Sequence, residues 1–221
     1  MVLSLKFDEL IKYVYKQMSN LFPDSSENNL LKYEEEFSIT IEKLEGCFKF
    51  IKNNNYSKGN VTYFNHLHSD QYTMFLWFLS NTIWNRKHDI HICNKLFYMN
   101  KSLNGFSCMY DTELPEIFLL LHTVGTVLGK AEYSNYFIAA QGCTIGAHKG
   151  IYPKIGKNVS LLPNSSIVGK CLIGNNVSVG INATVYNTDI EDDMVIFVNN
   201  KGETNYKHKK EAWSKQWFKQ D

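Results

Sequence analysis

The chain has 221 residues, 44% hydrophobic and 20% charged, with 23 Lys and Arg against 22 Asp and Glu. That length holds one large domain or two small ones with a substantial core, and near neutrality excludes the broad basic field of a nucleic-acid binder. Lys6, Asp8, Glu9, Lys12 and Lys16 exclude an apolar leader, no apolar run approaches the roughly 20 residues that cross a bilayer, and five scattered cysteines form neither a disulfide framework nor a CxxC zinc pattern, so the expected compartment is the cytoplasm.

Phe7, Leu10, Ile11, Val14 and Met18 recur at helical spacing and predict a first helix ending near Phe22-Pro23. Phe37, Ile41, Leu44, Phe48 and Ile51 predict a second, followed by the turn-rich stretch 53–60. Ser69 reads as the N-cap of a third helix, whose buried side is Tyr72, Phe75, Leu76, Leu79 and Ile83. A fourth covers Ile90 to Leu103 and stops at Asn104-Gly105.

The pattern then changes. Ile155, Leu161, Ile167, Ile173, Val179 and Val185 fall at strict six-residue intervals, with Val159, Ser165, Cys171, Val177 and Ala183 four residues after the first five. Six is neither the period of a helix nor that of one long strand. It fits short strands joined by tight corners, each sending one aliphatic side chain into an axial core, as in a β-helix. Leu121, Val127, Tyr133, Ala139 and Ile145 continue the series backwards. The ten-residue step from Ile145 to Ile155 places four extra residues in 147–154, which must project as a loop. The expected division is a helical domain over 1–105, a β-helix over 106–198 and a tail over 199–221. Trp213, Trp217 and Phe218 predict that the tail is an amphipathic helix docked over the last coil.

The segment Leu121-His122-Thr123-Val124-Gly125-Thr126-Val127-Leu128-Gly129, followed after the loop by Tyr152-Pro153-Lys154-Ile155-Gly156, resembles the serine acetyltransferase branch of the hexapeptide-repeat acyltransferases. The resemblance spans about residues 65 to 197. It implies an α+β chain, with N-terminal helices leading into a left-handed parallel β-helix that assembles as a trimer, single or paired. It also implies acetyl-CoA as acyl donor, no required metal, and His122 as the catalytic base. The family's Arg-His pair ahead of Pro-Lys-Ile is Ile151-Tyr152 here, Leu121 replaces an acidic residue before the histidine, and Phe197-Val198-Asn199-Asn200 replaces a Gly-x-Pro-Ala string. These departures shift the expected acceptor from free serine towards a sugar, as in relatives found with surface-polysaccharide enzymes.

Acetyl transfer to a hydroxyl needs a base, donors for the tetrahedral oxyanion and a groove for the CoA arm. His122 supplies the base. Asp111 is the expected carboxylate partner, with Glu113 and Glu116 as rivals. His68, at the start of the third helix, and His148 and Tyr152, in the loop, are candidates for the acceptor; an aromatic face at Tyr152 suits a pyranose. Gly146, Ala147, Ser165, Ser166 and Lys170 match the family's CoA contact region, with Lys170 suited to the 3′-phosphate. The reading is therefore an acetyl-CoA-dependent O-acetyltransferase. Serine O-acetylation, amino-sugar N-acetylation and a non-enzymatic trimeric scaffold are the alternatives. A zinc lyase on the same coil needs three gathered histidines, and the repeats hold only His122 and His148.

Overall fold

A computed structural model of the chain describes residues 1–24, 30–209 and 211–220. Four helices come first: α1 (Phe7–Leu21), α2 (Glu34–Phe48), α3 (Ser69–Lys87) and α4 (Ile90–Asn104). The apolar stripes fall where the sequence places them. Leu10, Ile11, Val14 and Met18 are the buried residues of α1, and Phe37, Leu44 and Phe48 lie buried on α2. Gly105 ends α4 in the left-handed conformation, φ +64°, which a glycine adopts without a Cβ penalty. The third helix differs at its start: the cap is His68, not Ser69. The Asn65 carbonyl accepts from the His68 N–H at 3.0 Å and the His68 carbonyl accepts from the Tyr72 N–H at 2.9 Å, so the chain enters the helix one residue early.

From Asp70 to Ile83, α3 is buried on every side. A helix enclosed all round is the centre of its layer. It packs against α2 and α4, and Trp77 and Phe78 meet Phe118 of the first coil with ring centroids 5.5 and 5.3 Å apart. The stretch 53–60 leads into a hairpin of Ser57–Lys58 and Val61–Phe64, with Val2–Leu3 parallel beside it. No helix among the described residues is long and apolar enough to cross a membrane.

From Phe106 the chain winds into a parallel solenoid of about 5 turns with three faces. The first face stacks Phe106–Ser107, Thr126–Leu128, Thr144–Gly146, Ser166–Val168 and Thr184–Tyr186. The second stacks Phe118–Leu120, Phe137–Ala139, Ser160–Leu161, Ser178–Val179 and Met194–Val198. The third holds Glu132–Tyr133, Lys154–Ile155 and Leu172–Ile173. All six aliphatic residues from Ile155 to Val185 are at most 2% exposed, and the five small residues after them at most 3%. In the first coil the metre slips. Leu120 pairs with Ala139 and Leu128 with Ile145, and both are buried, whereas Val127 is 42% exposed. The core-facing residues there are Leu120 and Leu128 rather than Leu121 and Val127, because this coil contains additional residues.

The tail is not an α-helix. Thr204–His208 returns antiparallel along Met194–Val198, and only Trp213–Gln216 turns, as a 3-10 helix. Two forces select the hairpin. Asn199 Oδ1 accepts from the N–H groups of Lys201 and Glu203 at the turn, and the returning strand covers an otherwise open sheet edge. Lys210 and Asp221 lie outside the described residues. The chain end does dock, but not over the last coil: Phe218 is fully buried against Tyr136 of an early coil, its ring centroid 5.4 Å away, and bridges to Ile51 of the helical part.

Phe218 thus ties the end of the chain to both the helices and the coil. Phe218→Ala should lower the unfolding free energy by about 3–5 kcal/mol, read from urea denaturation. Gly46, inside α2, gives the opposite case, since a Cβ built there meets nothing within 4 Å. Gly46→Ala should raise the unfolding free energy by ~0.5–1 kcal/mol, seen as a higher urea midpoint at unchanged slope.

Candidate functional site

His122 sits in the corner between the second and first faces. From Leu120 to Val127 the chain takes seven steps, whereas the corner stacked on it takes five from Ala139 to Thr144. The surplus bulges outward with His122 in it, at φ +53°. A left-handed backbone is uncommon for a residue with a Cβ and persists where surrounding bonds impose it. Here the Thr123 hydroxyl donates to the Asn104 carbonyl at 3.0 Å, and the Gly125 N–H donates to the Gly105 carbonyl at 3.0 Å. The corner is thereby pinned to the end of α4.

The start of α3 reaches the same corner. Asp70 Oδ1 accepts from the His122 backbone N–H at 2.9 Å, and Oδ2 lies 3.9 Å from His122 Nδ1. The carboxylate side chain is 7% exposed and the imidazole 80% exposed. An anion in the first turn of α3 is favoured by the helix N-terminus. The arrangement is a shielded carboxylate behind an accessible imidazole: it can orient the ring and stabilise the imidazolium while Nε2 faces a reactant.

His68, two residues before Asp70, packs edge-on to Tyr56 at 5.5 Å between ring centroids. Its Nδ1 and the Tyr56 hydroxyl are buried without hydrogen-bond partners among the described residues. Burial, and then the Asp70 charge, hold the Tyr56 phenol well above its ordinary range.

Asp111, Ala147, His148, Tyr152 and Lys170 lie instead beyond the opposite end of the first face. Asp111 pairs there with Lys130, Oδ2 to Nζ 2.8 Å, and this contact holds the Lys130 ammonium above its usual range. The carboxylate within ion-pair reach of His122 is therefore Asp70, and Asp111 takes a different partner. Of its rivals, Glu113 exerts its charge on Lys43, and Glu113 and Glu116 line one cavity between α2, α3 and the segment 113–117. The loop after Ile145 is a tight hairpin in which His148 and Ile151 exchange backbone hydrogen bonds at 3.1 and 3.0 Å, while Lys149 and Gly150 turn with positive φ. His148 folds back onto the coil, 3.1 Å from the Tyr186 hydroxyl and 3.0 Å from Asn187 Nδ2. Tyr152 stays 47% exposed.

Of the expected cofactor contacts, Ala147 and Lys170 are exposed, and Gly146 and Ser166 partly so, all on the first face or the turn after it. Ser165 is different. It is fully buried, its hydroxyl 3.7 Å from Cys143 Sγ, because it occupies the small inward corner position that Val159 and Val177 fill in other rungs. Its side chain cannot touch a bound molecule.

No family model matches the sequence, and no curated protein matches it either. Solved structures do resemble the fold. A serine acetyltransferase from Neisseria gonorrhoeae superposes at TM-score 0.70 with 16% identity, over 93% of this chain and 80% of that one. One from Brucella abortus gives 0.67 and 14%, over 92% and 84%. Isoform 3 from Entamoeba histolytica, solved with cysteine, gives 0.60 and 18%, over 87% and 71%. The chain carries the serine acetyltransferase fold, N-terminal helices followed by a left-handed hexapeptide-repeat β-helix.

Proposed function

We propose that the protein is an acyltransferase that moves acetyl from acetyl-CoA directly to a hydroxyl of a sugar or another small acceptor. The observation that carries this reading is the Asp70–His122 pair, held where the first turn of α3 meets a bulged corner of the coil. In the proposed reaction His122 Nε2 takes the acceptor's hydroxyl proton as its oxygen attacks the thioester carbonyl. The tetrahedral adduct then collapses, the C–S bond breaks, and the proton leaves with the CoA sulfur. Asp70 stabilises the imidazolium between these two transfers.

Direct transfer is favoured over a cysteine acyl-enzyme. All five cysteines are buried, and burial pushes the Cys47 and Cys93 thiols up to about 12, far from thiolate at neutral pH. The acceptor reading rests on Ile151 and the half-exposed ring of Tyr152, where the resemblance puts an Arg-His pair that holds serine. Serine is the second acceptor to test, because serine acetyltransferases are what the fold resembles.

A trimer fits the same reading. His122 lies at one end of the first face and the hairpin at the other, so one copy presents its base and a neighbour its hairpin when copies meet head to tail around a threefold axis. Val124, 74% exposed, and Val127, 42% exposed, lie in or beside the His122 corner where such a contact would form.

Acetyl-CoA turnover with a panel of sugars, nucleotide sugars, amino sugars and serine, followed by free-thiol release, tests the function. Thiol release should depend on a hydroxyl acceptor and be fastest with a sugar; a preference for serine would reverse the acceptor assignment, and no turnover with any acceptor would favour a scaffold. His122→Ala should cut kcat about 10²–10⁴-fold while leaving the thermal midpoint nearly unchanged, and full activity would remove His122 from the chemistry. Asp70→Asn should lower kcat by roughly tenfold or more with KM for acetyl-CoA little altered, whereas Asp111→Asn should leave kcat within about twofold of the parent.

A further inference from the structure

A cavity of about 570 Å³ opens between α2, α3 and the segment 113–117. That is within the range of small-molecule pockets, about 300–1,000 Å³. It is separate from the His122 corner: its lining includes neither Asp70 nor His122, and its nearest lining residue on α3, Trp77, stands seven residues beyond Asp70, about 10 Å of helix. Trp77, Phe78 and Ile117 give it an apolar wall.

Two features single it out. The first is Lys43, an exposed residue whose ammonium donates to the hydroxyl of Thr82, itself 1% exposed, at 3.0 Å. Burial there holds the ammonium below the usual lysine range, and Lys43 forms no ion pair among the described residues. The one hydrogen bond of this partly shielded ammonium goes to a neutral hydroxyl, and Glu113 acts on it only through charge, so it keeps donors for a carboxylate. The second is Gly46, which lines the cavity from inside α2, where a Cβ would meet nothing within 4 Å. A helix-interior glycine is destabilising, and no close packing calls for one here. Its effect is to keep the cavity open.

Charge decides the ligand class. Lys43 and Lys49 share the lining with Glu42, Glu113 and Glu116, so the cavity already carries an excess of negative charge. A ligand bringing only a carboxylate deepens that excess, and one bringing only an ammonium leaves Lys43 without an acceptor; one bringing both leaves the balance unchanged and answers both signs. We infer that this cavity is a second binding site, for a zwitterionic amino acid with a large apolar side chain. Its carboxylate meets Lys43, its ammonium meets the glutamates, and its side chain lies on Trp77 and Phe78.

Isothermal titration calorimetry with L-phenylalanine and L-tryptophan on the whole protein tests this. At least one should bind saturably at millimolar concentration or below. Phenylpropionate, which lacks the ammonium, and phenylethylamine, which lacks the carboxylate, should each bind about tenfold more weakly or worse. Lys43→Met should weaken the amino acid about tenfold, and Gly46→Met should abolish binding by filling the space, while His122→Ala should leave it unchanged. The site is refuted if neither amino acid binds, if Lys43→Met and the folded Gly46→Met both bind normally, or if binding is lost in His122→Ala. Equal binding of either analogue refutes the zwitterion.

Discussion

Backbone and side-chain hydrogen bonds between rungs fix where every residue of the coil can go. Lys157 donates its N–H to Asn175 Oδ1, and Asn158 Nδ2 donates to Asn176 Oδ1, both across 18 residues. Since equivalent positions stack on one another, a residue added to a rung must either leave the prism or break the ladder. The chain adds residues in two places and both leave. One addition is the corner that carries His122; the other is the hairpin at 147–153, which lengthens the interval between neighbouring rungs to 22 residues at Cys143 and Ser165. The uninterrupted rungs after the hairpin supply stiffness. The interruptions carry His122 and Tyr152, the side chains on which the proposed reaction draws.

The helical part completes the corner rather than merely preceding it. A carboxylate as enclosed as Asp70 loses several kcal/mol of hydration. It is offset by the first turn of α3 and by a charge-assisted bond from the His122 N–H. That same bond supports a backbone conformation which histidine seldom adopts. The two residues therefore need one another: the left-handed turn presents an N–H to Asp70, and Asp70 holds the turn that exposes the imidazole. Because α3 is buried on all sides and seated on Phe118, the carboxylate cannot drift from the corner without disturbing the core.

Much of this was legible in the sequence because period is a local property. The six-residue metre, the stripes on α1 and α2 and the glycine stop after α4 are each set by neighbours within a few positions. His122 was legible only through the resemblance of its segment. Asp70 was missed as its partner because the two are 52 residues apart, and nothing local marks a carboxylate in a helix's first turn as anything but a favourable charge. Asp111 is the partner the resemblance suggests, with an Asp upstream of the histidine, yet it follows the first strand of the first face and meets Lys130, which follows the next strand of that face. Ser165 misled differently. The resemblance puts it in the CoA contact region, but the stacking rule turns that position inward whatever its chemistry.

The separation of the two corners carries a further consequence. Both flank the first face, but its strands run between them, so a small acceptor held by Tyr152 in one copy does not reach His122 in the same copy. Bending the coil to join them would break the parallel pairing along the first face, which runs through all five of its strands. A neighbouring copy requires no such distortion, because a heterologous contact brings opposite ends of the face together and a threefold ring closes it. In the proposed trimer the exposed valines beside His122 and the exposed Tyr152 would meet across a seam that excludes water and takes up much of the imidazole's exposure. In the proposed enzyme, assembly would complete the catalytic site, and the rigidity of the coil is the physical reason for joining the two.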